Sequence, residues 1–207
     1  MNSYDTLIIG TGCAALKCAD ELCHMGRKSL AILTDDERAG TSRNAGSDKQ
    51  TYYKLTLSGF DGDSVGEMAR TLFSGGCVDG THALCEAALS APCFLRLCEL
   101  GVPFPTNRYG EYIGYKTDHD PRRRATSAGP LTSRMMAEAL DKSVRAAGVP
   151  ILNHRLVVSI AAQNRRVNGV VCLNTETSAF ELYAANHIVW ATGGPAAAYL
   201  NVSYPLA

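Results

Sequence analysis

Gly10-x-Gly12-x-x-Ala15 is the stretch of this chain whose residue types and spacing most directly imply chemistry. In such a turn the first glycine permits a tight bend and the second lets backbone approach a pyrophosphate. The third small residue lets a helix pack against a strand. A helix that starts there offers free N–H groups and a positive dipole end to phosphate. The spacing therefore points to a dinucleotide. It does not by itself choose between FAD and a nicotinamide nucleotide.

The pattern carries this meaning only between a strand and a helix, and the flanking sequence supplies both. Leu7-Ile8-Ile9 is a short apolar run stopped by glycine, which predicts a buried parallel strand. Residues 13–25 are rich in Ala, Leu and Cys and end at Gly26, which predicts a helix with a glycine stop. Residues 29–34 predict a second strand, completing a βαβ unit. A ribose-binding acid belongs at the tip of that strand, about 20 residues past the glycines. Asp35 is the candidate, with Asp36 the fallback.

Helices are expected over 64–73, 79–100 and 131–147, the last closed by Gly148. Residues 39–48 and 107–124 read as polar loops. Beyond residue 150 come short β-rich runs, 151–152, 156–161, 167–173, 180–183 and 188–191, which suggest an antiparallel meander. The run at 188–191 leads into Thr192-Gly193-Gly194 and also suits a return to the parallel sheet. The expected fold is α/β, a Rossmann-like parallel sheet with helices plus a β-meander.

Composition excludes several function classes. Hydrophobic residues make up 46% of 207 and charged residues 19%, below the ~25% usual for soluble domains. Lys+Arg and Asp+Glu both count 20, a balance that argues against a nucleic-acid partner and against disorder. No apolar run reaches the ~18–20 residues of a membrane span, and the polar start does not resemble a signal peptide, so a cytoplasmic location is expected. None of the eight cysteines forms a Cys-x-x-Cys pair; they read as buried, reduced thiols, and no metal is assigned.

Residues 5–205 resemble the N-terminal part of the flavoprotein family that contains fumarate reductase, succinate dehydrogenase and L-aspartate oxidase flavoprotein chains. Four segments in the family's order carry the resemblance. They are the glycine turn; Gly40-Thr41-Ser42-Arg43-Asn44-Ala45-Gly46-Ser47, similar to the family's flavin loop; the stretch 71–104, ending in Gly101-Val102-Pro103-Phe104; and Ala191-Thr192-Gly193-Gly194 after an apolar strand.

The resemblance implies a role for each matching residue. Gly10, Gly12, Ala14 and Ala15 would hold the pyrophosphate and Asp35 the adenosine ribose. Thr41, Ser42, Ala45, Gly46 and Ser47 would wrap the flavin end. Val157 would meet the adenine through its backbone, and Ala191, Thr192 and Gly193 would close over the ADP part. Some members carry a histidine in the flavin loop that bonds the cofactor; this chain has Ser42-Arg43-Asn44, which implies non-covalent FAD. After the loop, residues 48–53 are more polar than the family's glycine-rich continuation.

The activity implied is that of an FAD-dependent oxidoreductase passing a hydride between flavin N5 and a carbon–carbon bond of a small acid. An electron-transfer partner subunit is part of the same expectation. Residues 1–207 would be the N-terminal portion of the FAD-binding domain, ending before the family's substrate-capping domain. The arginine and histidine residues that bind dicarboxylate and donate protons would then lie beyond it, and no catalytic residue is named. The rival readings are an NAD(P)-dependent dehydrogenase and a non-catalytic nucleotide-binding fragment.

Three further clusters have two readings each. Arg122-Arg123-Arg124 either faces an anionic ligand or partner, or is a solvated loop. His119, between Asp118 and Asp120, is an acid–base candidate or a surface histidine. Tyr109, Tyr112 and Tyr115 cover a cofactor or pack a loop.

Overall fold

A computed structural model describes residues 2–59, 62–194 and 201. Along the chain the elements are β1 (Asn2–Ile9), α1 (Cys13–His24), β2 (Leu30–Leu33), α2 (Thr41–Asn44), β3 (Tyr52–Tyr53), α3 (Val65–Ser74) and α4 (Gly80–Glu99). There follow β4 (Ala125–Thr126), α5 (Thr132–Ala146), β5 (Ile151–Leu152), β6 (Arg155–Gln163), β7 (Arg166–Asn174) and β8 (Phe180–Trp190). They divide into two compact units, Met1–Ala45 with Ser133–Ala207, and Gly46–Thr132.

The first unit is built on a six-stranded sheet of order β5-β2-β1-β8-β7-β6. β5, β2, β1 and β8 run parallel, and β8-β7-β6 is an antiparallel meander. Leu7, Ile8 and all four residues of β2 are buried, as parallel strands covered on both faces require. The core gathers Leu7, Ile9, Ala31, Leu33, Val170, Cys172, Tyr183 and Ala185.

The runs expected at 180–183 and 188–191 are a single strand, β8. Phe180 to Ala184 pair with β7 and Tyr183 onward with β1, so one strand serves both the meander and the parallel sheet. Intervening Ala184-Ala185-Asn186-His187 carries little β-propensity. Tertiary pairing on β1 makes it extended. Asn164 and Arg165 join β6 to β7, with φ of 53° and 61°, the left-handed pair that a two-residue hairpin demands.

At Gly169 β7 meets β8 so closely that a Cβ would lie 2.1 Å from the Tyr183 carbonyl oxygen. Glu181 ties the meander together: Arg155 donates to both its oxygens at 3.1 and 3.3 Å, and Asn174 Nδ2 donates at 2.7 Å. With Tyr183 also donating, these bonds hold the Glu181 carboxyl down to about 2.

In the second unit α3 packs on α4, with the short ribbon β3-β4 beside them. Ser64 caps α3 by accepting the Glu67 N–H at 3.1 Å, and Asp79 caps α4 through the Thr81 N–H at 2.9 Å. Val102 and Phe104, from the Gly-Val-Pro-Phe segment, are buried, and the Phe104 ring packs tilted against Phe94, centroids 4.7 Å apart.

Neither reading of the arginine run describes Arg124. It is wholly buried, with bonds to Asp63 at 2.9 and 2.7 Å, Asp120 at 3.2 Å, Tyr53 at 3.2 Å and Thr71 at 3.0 Å. Arg122 forms a two-pronged pair with Glu67 at 2.8 and 3.1 Å. Both side chains are structural ties of this unit. The tyrosines also separate: Tyr112 packs edge-on against Phe94 at 5.0 Å, whereas Tyr109 is exposed. His119 is exposed. Of the eight cysteines only Cys172 is buried, and Cys77 and Cys85 are exposed, which corrects the expectation of buried thiols throughout. Six of the eight lie on α1 and α4, spread around the helix faces rather than confined to the packed one.

Candidate functional site

In an open parallel sheet, ligands bind beyond the carboxyl ends of the strands. The first unit brings the ends of β1, β2 and β8 side by side, and most of the expected residues stand there. Gly10 leaves β1 with φ 106° and donates its N–H to the Leu33 carbonyl at 2.8 Å. A Cβ on it would sit 2.5 Å from the Ala191 carbonyl oxygen. That position admits no side chain.

Gly12 begins α1 with an ordinary φ of −74° and offers no side chain as a cap. The cap comes from a distance: Ser42 Oγ accepts the Cys13 N–H at 3.1 Å. A Cβ on Gly12 would lie 3.3 Å from that oxygen. Ala15 is fully buried under the helix, and Ala14 is exposed at its first turn. The motif thus divides its labour, Gly10 and Ala15 for packing, Gly12 and Ala14 for an open approach. Burial raises the Cys13 thiol above its usual range, with Ser42 and Arg43 acting against that rise.

At the tip of β2, Thr34 is buried, its hydroxyl 3.2 Å from that of Thr11. Asp35 follows, exposed, its carbonyl accepting the His154 N–H at 3.1 Å while its carboxylate has no hydrogen-bond partner among the described residues. Asp36 is engaged locally, Oδ1 accepting the Arg38 N–H at 2.8 Å. The geometry favours Asp35 over Asp36 as the free acid. Ala191 extends the β8 end and donates its N–H to the Ile9 carbonyl at 3.0 Å; Thr192 and Gly193 beyond it are exposed.

Thr41, Ser42 and Ala45 belong to α2 and its C-terminal boundary, a helical turn where a loop was expected. Gly46 and Ser47 belong to the second unit, where a Cβ on Gly46 would meet Leu131 at 3.1 Å and the Ser47 N–H donates to the Pro130 carbonyl at 3.0 Å. Val157 lies on β6 opposite Cys172 and packs against the core of the first unit.

Two contacts escaped the sequence reading. Thr11 fills a variable position of the glycine pattern, and its partner Thr34 follows directly after β2, where an acid was sought. Asn153 Oδ1 accepts the Glu37 N–H at 2.9 Å and so fixes the segment after β2. Nothing in its local sequence signals a contact 116 residues away.

The residues present fit a dinucleotide. Gly12 puts no side chain at the α1 N-terminus, a carboxylate without a partner among the described residues follows β2, and the small residues Ala14, Thr192 and Gly193 are exposed. Among the described residues no group of three His, Cys, Asp or Glu is placed to hold a metal, and no helix is long and apolar enough to cross a membrane.

Comparison with known proteins selects the dinucleotide. The sequence profile of a family described as FAD binding domain matches residues 5–205. No curated protein matches the chain by sequence. Among solved structures, Escherichia coli quinol fumarate reductase superposes with a TM-score of 0.80 at 19% identity, over 96% of this chain and 34% of that one. Sdh1 of Mycobacterium smegmatis, solved with UQ1, gives 0.81 at 18% identity, over 99% and 36%. The 3-ketosteroid-Δ4-(5α)-dehydrogenase of Rhodococcus jostii gives 0.76 at 18%, over 94% and 47%. The chain spans about a third of the first two and under half of the third. These likenesses establish a shared fold, and the profile match establishes the family. FAD takes the place of the nicotinamide alternative: the chain belongs to the FAD-binding domain family.

Proposed function

We propose that residues 1–207 form the N-terminal portion of the FAD-binding domain of an FAD-dependent oxidoreductase of the fumarate reductase and succinate dehydrogenase type. The observation that carries this reading is the convergence, at the carboxyl ends of β1, β2 and β8, of the Gly10–Gly12 turn, the free Asp35 carboxylate and the Ala191–Gly193 segment. In this reading the α1 N-terminus with Gly12 and Ala14 receives the pyrophosphate, and Asp35 accepts hydrogen bonds from the ribose hydroxyls. Thr41, Ser42, Ala45, Gly46 and Ser47 line the flavin end, Val157 meets the adenine, and Ala191, Thr192 and Gly193 close over the ADP part.

Bound FAD supplies two-electron chemistry, a hydride passing between its N5 and a carbon–carbon bond of a small acid or related substrate. This chain's own part is to orient the cofactor and exclude side chains from its path. Ser42-Arg43-Asn44 at the flavin loop supports a non-covalent attachment. An electron-transfer partner subunit and a cytoplasmic location complete the proposal.

Equilibrium dialysis against FAD, NAD and NADP tests it. The reading expects saturable FAD binding that Asp35→Ala weakens. Binding of NAD with indifference to FAD would reject it.

A further inference from the structure

α2 is only four residues long, has no buried residue, and is preceded by a glycine that gives it no side-chain cap. A helix of that length has no stability of its own. Its position is therefore set by side chains reaching out of it. Ser42 reaches the α1 N-terminus, and Asn44 bonds back to the Arg38 and Gly40 carbonyls at 2.9 and 3.1 Å.

Arg43 reaches the other way, its Nη2 lying 3.3 Å from Asp141 Oδ1 on α5. These two side chains are only 15% and 19% exposed, so water screens them weakly. Asp141 Oδ2 also accepts from Arg145 Nε at 3.0 Å, and Arg145 Nη2 lies 2.8 Å from Glu37 Oε2. The chain of charges Glu37–Arg145–Asp141–Arg43 thus ties the segment after β2 to α5 at both its beginning and its end. It borders a cleft of about 250 Å³ in which Arg38 alone has no ion pair among the described residues. The other four charges there are matched to one another, as in a fastening.

We propose that Arg43 and Asp141 are positioning residues: their pair, extended through Arg145 to Glu37, holds α2 so that the Ser42 hydroxyl stands at the α1 N-terminus. FAD affinity then depends on the clamp without any of the four residues touching the cofactor, a consequence that rests on the FAD reading above.

The test compares R43Q, D141N, the double variant and the charge swap R43D/D141R by two readouts. The first is amide hydrogen exchange at Asn44 and Ala45 in the cofactor-free chain, whose N–H groups bond to the Gly40 and Thr41 carbonyls. The second is FAD dissociation constant. Each single variant is expected to speed exchange at these amides and to weaken FAD about tenfold. The double variant should be no worse than either single, and the swap should recover part of both losses.

Unchanged exchange in both singles would overturn the proposal. Weak FAD binding by R43Q with D141N like the parent would overturn it too, since Arg43 would then act on the cofactor directly. Exchange needs no cofactor. Failure of the parent chain to bind FAD would defeat the FAD reading and leave the clamp to be decided by exchange.

Discussion

Substitution of the two motif glycines should produce opposite failures. Gly10 has φ 106°, and a Cβ there would stand 2.5 Å from the Ala191 carbonyl oxygen, a backbone atom that moves only if the β8 end moves. The backbone strain alone is worth about 1–3 kcal/mol, and displacing the strand end adds to it. A loss of about 3 kcal/mol corresponds to roughly 6–12 °C in melting temperature for a chain of this size.

Gly12 has φ −74°, and its Cβ would meet only the Ser42 Oγ at 3.3 Å, a side chain able to shift. Gly12→Val should therefore cost the fold about 1 kcal/mol or less. Its two methyls, however, stand where a pyrophosphate must approach backbone. FAD affinity should fall at least about 100-fold, or about 2.8 kcal/mol. Thermal melting by circular dichroism and FAD titration by fluorescence separate the two effects. Gly10→Ala melting with the parent, or Gly12→Val destabilised while retaining FAD, would refute the reasoning.

Arg124→Met should destabilise the fold by about 3–5 kcal/mol in urea unfolding, because it strands the buried carboxylates of Asp63 and Asp120 without a partner. Burial acts to raise the Asp63 carboxyl, but Arg124 and the Thr56 and Ser64 N–H groups outweigh it and hold the group below its usual range. Its stabilisation is complete above the unfolded value near ~3.9 and lost as pH falls through the folded one, so Asp63→Asn should flatten the acid limb of the stability–pH curve.

Lys54 is fully buried over the Phe94 ring with, among the described residues, only the Leu55 carbonyl at 3.4 Å to bond, and burial lowers its ammonium below the usual range. Stability should rise with pH between the folded value and about 10.4, and urea titrations of Lys54→Met should lack that rise. Acid precipitation should release all flavin from the loaded protein, since no histidine stands at Ser42-Arg43-Asn44; fluorescence remaining with the denatured band would contradict this.

The βαβ start was legible because local chemistry dictates it. Leu7-Ile8-Ile9, the glycine spacing and the Gly26 stop each act within a few residues, and β1, α1 and β2 lie where that pattern puts them. β8 was broken in two because its middle, Ala184 to His187, is made extended by β1 rather than by its own propensity. Asp35 is proposed from its distance past the glycines; that Asp36 rather than Asp35 is engaged locally rests on an N–H bond at Arg38 that sequence does not display. Arg124 was unreadable for a related reason. Its partner Asp63 is 61 residues away, and a run of three arginines looks like a solvated face until that carboxylate is seen beneath it. Ser42 as the remote cap of α1 is likewise a contact across 29 residues.

The central claim is that this chain holds FAD without a covalent bond, through the ends of β1, β2 and β8. Titration of the folded 207-residue chain with FAD, following quenching of flavin fluorescence beside an NADH control, tests it most directly. The account predicts saturation at one FAD per chain, abolished by Gly12→Val in a protein that still melts cooperatively. A folded chain that leaves flavin fluorescence unchanged, or that binds FAD equally well as Gly12→Val, would contradict it.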